Sequence, residues 1–251
     1  RLPISLYNLI NSVAGRFGLE VRASGLRTDF DPEAVSIINR VRDYTMTSTE
    51  RIFGVIQAAR YVADAGIPGA IVEAGVWRGG SMMAAAFALM ARGDGARDLY
   101  LYDTYEGMSE PGAEDVDVRG NAASEKLSAS KKSKASEIWA YSPVEDVRAA
   151  LTSTGYDAAR MHFVKGKVED TIPDDAPDQI ALLRLDTDWY ESTRHELEHL
   201  FPRLISGGVL ILDDYGHWQG ARRAVDEYLS ANNLHLLLNR IDNTGRLALK
   251  P

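Results

Sequence analysis

From Ala70 onward, short apolar runs alternate with longer stretches in which apolar residues recur every three or four positions. The runs at 70–73, 99–102, 161–164, 180–185 and 209–212 predict strands, and shorter ones near 234–238 and 246–249 complete a set of seven. Between them the helical period predicts helices over 80–91, 143–151, 191–204 and 220–229. The central runs are apolar at almost every position, so both faces of those strands are covered. Strand and helix in alternation predict an α/β, Rossmann-like fold: a mostly parallel seven-stranded sheet with helices on both faces.

Two regions depart from that alternation. Leu6, Leu9, Ile10, Val13 and Phe17 sit at helical spacing, and Thr47-Ser48-Thr49-Glu50 reads as a capping box opening a helix that runs to about Ala65 and stops at Gly66. Residues 1–66 are therefore expected to form an N-terminal helical extension, and 67–251 the core of a single domain. The stretch 106–136 is rich in Gly, Ser, Lys and acids and poor in large apolar residues. Such an insertion after a strand is either a lid or a flexible surface loop, and both readings fit.

Composition narrows the function. With 45% hydrophobic and 25% charged residues the chain can bury a substantial core. A net charge of −8 opposes nucleic acid and anionic membranes as partners, since both need clustered Lys and Arg. The absence of cysteine excludes disulfides, thiolate zinc sites and a cysteine nucleophile, fits a cytoplasmic protein, and leaves oxygen or imidazole to hold any metal. No apolar run approaches membrane-spanning length.

Candidate chemistry concentrates at strand ends. The strand ending in Glu73 leads through Gly75, Gly79 and Gly80 into a helix. Glycines permit a sharp turn and close ligand approach, and a helix N-terminus presents free amides. The spacing E-x-G-x-x-x-G differs from the G-x-G-x-x-G of dinucleotide sites and favours a nucleoside ligand without a pyrophosphate. Asp103, ending the next strand, is suited to a ribose diol.

Asp186-Thr187-Asp188 and Asp213-Asp214 end two further strands, so four carboxylates converge if those strands are parallel neighbours. Mutual repulsion is relieved by proton uptake or by a divalent metal, and oxygen ligands select Mg²⁺, Ca²⁺ or Mn²⁺ over zinc. His217 follows closely, as a base, a substrate contact, an occasional ligand or an ordinary surface residue. His162, His195, His199 and His235 fall within structural patterns, while Trp77, Trp189 and Trp218 flank the acids and glycines, lining a pocket or simply packing.

Six separated stretches carry a family resemblance: 44–47 (YTMT), 72–81 (VEAGVWRGGS), 102–107 (YDTYEG), 166–173 (GKVEDTIP), 183–193 (LRLDTDWYEST) and 207–215, ending in Asp213-Asp214-Tyr215. In order and spacing they resemble the macrocin O-methyltransferases, which methylate sugar and phenol hydroxyls of bacterial natural products. The resemblance implies a class I methyltransferase fold with S-adenosylmethionine held by Thr45, Met46, Glu73, Gly75, Gly79, Ser81 and Asp103, its adenine bordered by Lys167 and Val168. It also implies Mg²⁺ on Asp186, Asp213 and Asp214, with Asp188 as general base. Thr187 departs from the Gly common there, the final 246–250 segment lacks the usual aromatic, and 106–136 matches no member. The expected function is metal-assisted O-methylation of a small hydroxylated acceptor, in a protein able to form a homodimer. A nucleotide-dependent oxidoreductase or nucleotidyl transferase is disfavoured by the missing dinucleotide spacing and Walker lysine, and a non-catalytic nucleoside-binding module by the intact acidic quartet.

Overall fold

The chain was analysed as a computed structural model, which describes residues 29–134 and 136–251. The helical expectation for 6–17 lies outside the described residues. Pro32–Pro251 forms one compact unit. It opens with α1 (Pro32–Val41) and α2 (Thr49–Asp64). The core follows as β1 (Ala70–Ala74), α3 (Gly80–Ala91), β2 (Leu99–Asp103), α4 (Ala123–Ser128), α5 (Val144–Thr152) and β3 (Met161–Lys165). Then come α6 (Val168–Thr171), β4 (Ile180–Leu185), α7 (Tyr190–His199), β5 (Leu204–Leu212), α8 (Gln219–Ala231), β6 (Asn239–Arg240) and β7 (Arg246–Leu249).

The sheet has seven strands in the order β3-β2-β1-β4-β5-β7-β6. The first five in sequence are mutually parallel, and β7 runs antiparallel to both β5 and β6. β1 and β4 lie at the centre and are buried at every position, as sequences that are apolar except for Glu73 and Arg184 require. From β1 the chain builds outward through β2 and β3, then returns to β4 on the other side. The carboxyl ends of β1 and β4 therefore flank a crevice, where ligands bind in such sheets. One face carries a core of Val72, Tyr102, Leu183, Leu185, Leu197, Phe201 and Leu210. On the other, α3 packs against α1 and α2, and its residues Gly80–Leu89 are all buried, so no polar stripe is left on it.

Three expectations shift. The capping residue of α2 is Ser48, whose side chain accepts from the Arg51 amide, one position later than the capping box placed it. Thr47 instead bonds to Thr45. The helix expected over 191–204 ends at His199, because Pro202 cannot continue the ladder and a 3₁₀ turn leads into a β5 that starts at Leu204. The strand expected at 234–238 is absent: Leu234, Leu236 and Leu238 pack against the core while Leu237 faces solvent, but pairing with β7 begins only at Asn239. The alternation there is real, and no neighbouring strand is available to it.

Candidate active site

At the carboxyl edge of the sheet lies a cleft of about 590 Å³. Thr45, Met46, Glu73, Gly75, Ser81, Asp103, Lys167 and Val168 line it together with Asp186, Asp188, Asp213, Asp214 and His217. Gly79 does not: it holds the left-handed conformation that starts α3, and a Cβ there would strike Leu151 of α5 at 2.6 Å. Its role is the turn and the α3–α5 contact. Gly80 allows the 44–47 loop to lie on the first turn of α3, since a Cβ would meet the Tyr44 carbonyl at 2.6 Å. Gly75, with φ +82°, faces the Asp186 backbone with no room for any side chain. That approach joins the ends of β1 and β4.

Asp103 organises the turn beyond β1. One carboxylate oxygen accepts from the Val76 and Trp77 amides at 2.8 and 3.0 Å, the other from Tyr105 at 2.7 Å. Trp77, at φ +48°, is held in a conformation unfavourable for a large side chain. Glu73 is buried; one oxygen accepts from Arg184 at 2.5 Å, while Oε2 has no partner. Burial pushes its carboxyl up to about 7, against the opposing pull of Arg184.

Arg184 was not anticipated as a site residue, although a single charge inside an otherwise apolar buried strand signals a buried partner. Its guanidinium donates to Glu73, to Asp186 at 2.7 Å and to Asp213 at 2.5 Å. Arg51, from α2, donates to the second oxygen of Asp213 and to Asp242 at 3.0 Å. Both oxygens of Asp213 are thus held by guanidinium groups, so charge repulsion in the quartet is relieved in part by arginine.

Relief is incomplete at the remaining acids. Carboxylate oxygens of Asp186, Asp188 and Asp214 lie within 4.8 Å of one another, and Asp214 Oδ2 is buried without a partner. Asp188 replaces the expected Asp213 in this grouping. Burial drives Asp186 and Asp214 well above the usual carboxylate range, with neighbouring acids adding to the rise. Asp188 rises to about 7, through burial and then Asp186, while hydrogen bonds with Asp214 and, less strongly, Trp218 oppose the shift. Asp188 also sits at φ +69°, so the chain turns abruptly between the two carboxylates of β4. Burial and the nearby Lys126 lower His217, which favours the neutral form of the ring that packs edge-on against Trp218. Two acceptors of residues that line the cleft, Glu73 Oε2 and Asp214 Oδ2, are buried and make no hydrogen bond, and their chemistry suits a cationic or donor group.

A doubly wound sheet with a glycine turn after β1 and an acid ending β2 defines the class I methyltransferase fold. The architecture is similar to that of the O-methyltransferase NovP, with a TM-score of 0.72 and 29% identity over 98% of both chains. Residues 30–248 match the macrocin O-methyltransferase family, and the chain belongs to it. It is 35% identical to an O-methyltransferase of Streptomyces olivaceus that acts on the 4′ position of a dimethoxyrhamnosyl tetracenomycin, over 80% of this chain and 74% of that one. The demethyldecarbamoylnovobiocin O-methyltransferase of Streptomyces niveus is 31% identical over the same shares. The chain is accordingly an O-methyltransferase.

Proposed function

We propose that this enzyme transfers the methyl group of S-adenosylmethionine to a hydroxyl of a small natural product, on a sugar or a phenol, with the aid of Mg²⁺. The observation that carries the reading is that residues of one cleft hold a buried carboxylate oxygen without a partner at two places, Glu73 next to the glycine turn and Asp214 in the acidic grouping, which we assign as the cofactor half and the acceptor half. Thr45, Met46, Glu73, Gly75, Ser81, Asp103, Lys167 and Val168 would hold the cofactor, and the unpartnered Glu73 Oε2 would offer an acceptor for its positive charge. Asp186 and Asp214 would hold the cation, and Asp213 reaches it only in place of one of its arginines. Bound there, the cofactor supplies a methyl carbon on a cationic sulfur, and the metal supplies charge favouring ionisation of a nearby hydroxyl.

The chain's own groups do the rest. The cleft walls would hold the acceptor hydroxyl and exclude water. The bound cofactor would supply the methyl carbon for the new oxygen–carbon bond and would keep the electron pair of the carbon–sulfur bond it gives up. Asp188 accepts the hydroxyl proton, its raised basicity suiting it to that task near neutral pH. His217 borders the acceptor half as a neutral polar contact.

The relatives' acceptors make glycosylated and phenolic natural products the first compounds to test. Purified enzyme is incubated with radiolabelled S-adenosylmethionine, demethylated rhamnosyl tetracenomycins and demethyl novobiocin derivatives, with Mg²⁺ or with chelator. Label is expected in one acceptor class, lost on chelation and restored by Mg²⁺. Undiminished transfer in chelator overturns the metal role. Transfer to none of these hydroxyls, with S-adenosylhomocysteine still binding, overturns the acceptor class.

A further inference from the structure

The connection from β2 to α5 is tied to the rest of the molecule by a buried carboxylate that neither the turn motifs nor the acidic quartet includes. Asp115 is 2% exposed, whereas its neighbours Gly112, Ala113 and Glu114 are exposed. One of its oxygens accepts from the Gly112 amide at 2.7 Å, within the connection, and the other from the Tyr190 amide at 2.8 Å. Tyr190 is the first residue of α7. The same oxygen lies against Gly220, the second residue of α8, where any Cβ would collide with it and the next nearest atom is Tyr190 Cβ at 3.2 Å.

A helix start needs acceptors for its free amides and favours negative charge. The residues preceding these two helices, Trp189 and Trp218, provide no side-chain cap. The carboxylate comes instead from a residue 75 positions away in sequence from Tyr190. Contacts beside it run the same way: the Trp189 indole donates to the Ser109 carbonyl at 3.1 Å, and Gln219 donates to the Val116 and Asp117 carbonyls at 2.9 and 3.0 Å. Each helix follows one of the acid-bearing strand ends, and Met108, Ser109 and Ile138 of the connection line the same cleft as those acids.

We propose that Asp115 is a positioning residue that pins the β2–α5 connection as a lid over the acceptor half of the cleft, acting through the first turns of α7 and α8. Gly220 is its socket. This rests on the reading of that half as the acceptor site, but its first test does not need an acceptor.

Asp115→Ala and Gly220→Ala are compared with the parent by limited trypsin digestion, which reports exposure of the bonds after Lys131, Lys132 and Lys134 in the lid. Both variants are expected to be cut there about tenfold faster, with red-shifted tryptophan emission and affinity for S-adenosylhomocysteine within about threefold of the parent. With a rhamnosyl tetracenomycin that the parent methylates, KM for that acceptor rises about tenfold while kcat stays within about threefold. Cleavage at the parental rate in either variant overturns the proposal, as does a joint loss of cofactor affinity, kcat and thermal stability, which would mark a general loosening. If Asp115→Ala does not fold, Asp115→Asn, which keeps one acceptor oxygen, takes its place. A parent that methylates none of the acceptors counts against the proposed function, while the digestion still decides the role of Asp115.

Discussion

Asp188 combines a left-handed backbone, a carboxyl raised to about 7 and contact with Trp218. Asp188→Asn keeps the shape and removes the base, so kcat should fall by about 10²–10⁴-fold with S-adenosylhomocysteine affinity unchanged by calorimetry; parental turnover would remove Asp188 from the reaction. Glu196 lies behind the same turn, fully buried, accepting from the Thr187 hydroxyl at 2.9 Å with Oε2 unpartnered. Burial raises its carboxyl well above the usual range. The folded state thus binds a proton that the unfolded chain releases near pH 4.3, and this contribution is full below that pH and declines as pH rises toward the folded value, by about 1.4 kcal/mol per unit. Glu196→Gln keeps the acceptor for Thr187 and cannot ionise, so between pH 5 and 8 its stability in urea should fall less than the parent's. Equal losses would show that Glu196 is ionised in the fold. At Gly75 a Cβ would meet the Asp186 backbone, and Gly75→Ala should cost at least about 2 kcal/mol in urea denaturation and abolish activity.

Among the elements, α2 transmits most to the site. Ser48 caps it, donates to Asp242 at 2.5 Å, and so aligns the carboxylate that orients Arg51 toward Asp213. Ser48→Ala should lose about 1–2 kcal/mol by thermal denaturation; a loss within error would mean that the Arg51 amide and Asp242 find other partners at no cost. The start of this helix was legible because Thr, Ser and Glu there are capping residue types. Which hydroxyl caps was not, because Ser48 is selected by Asp242, distant in sequence. The insertion at 106–136 shows a similar division. Its scarcity of large apolar residues is real, yet Ala123 and Leu127 suffice to dock α4 on Trp189 and Trp218. A local pattern contains no information about that partner surface.

At the scale of the molecule, the cleft joins segments from Tyr44 to Thr244 and should close around its cofactor as a unit. S-adenosylhomocysteine at 100 times its dissociation constant should stabilise the fold by about 2.7 kcal/mol, raising the melting temperature by about 5–10 °C, whereas NAD at the same concentration should not; an equal shift with NAD would reject the nucleoside assignment. The first five strands and the long helices between them, the glycine turn and the four aspartates follow from sequence alone, because each depends on local periodicity or on residue chemistry at a strand end. Tertiary structure alone decided how those aspartates are used. Parallel pairing of β4 and β5 brings them together, but Arg184 and Arg51 arrive from within β4 and from α2 to hold both oxygens of Asp213, while the grouping of Asp186, Asp188 and Asp214 is reached only by the Arg184 bond to Asp186. Charge compensation acts through space, and only folding shows which cation lies beside which acid.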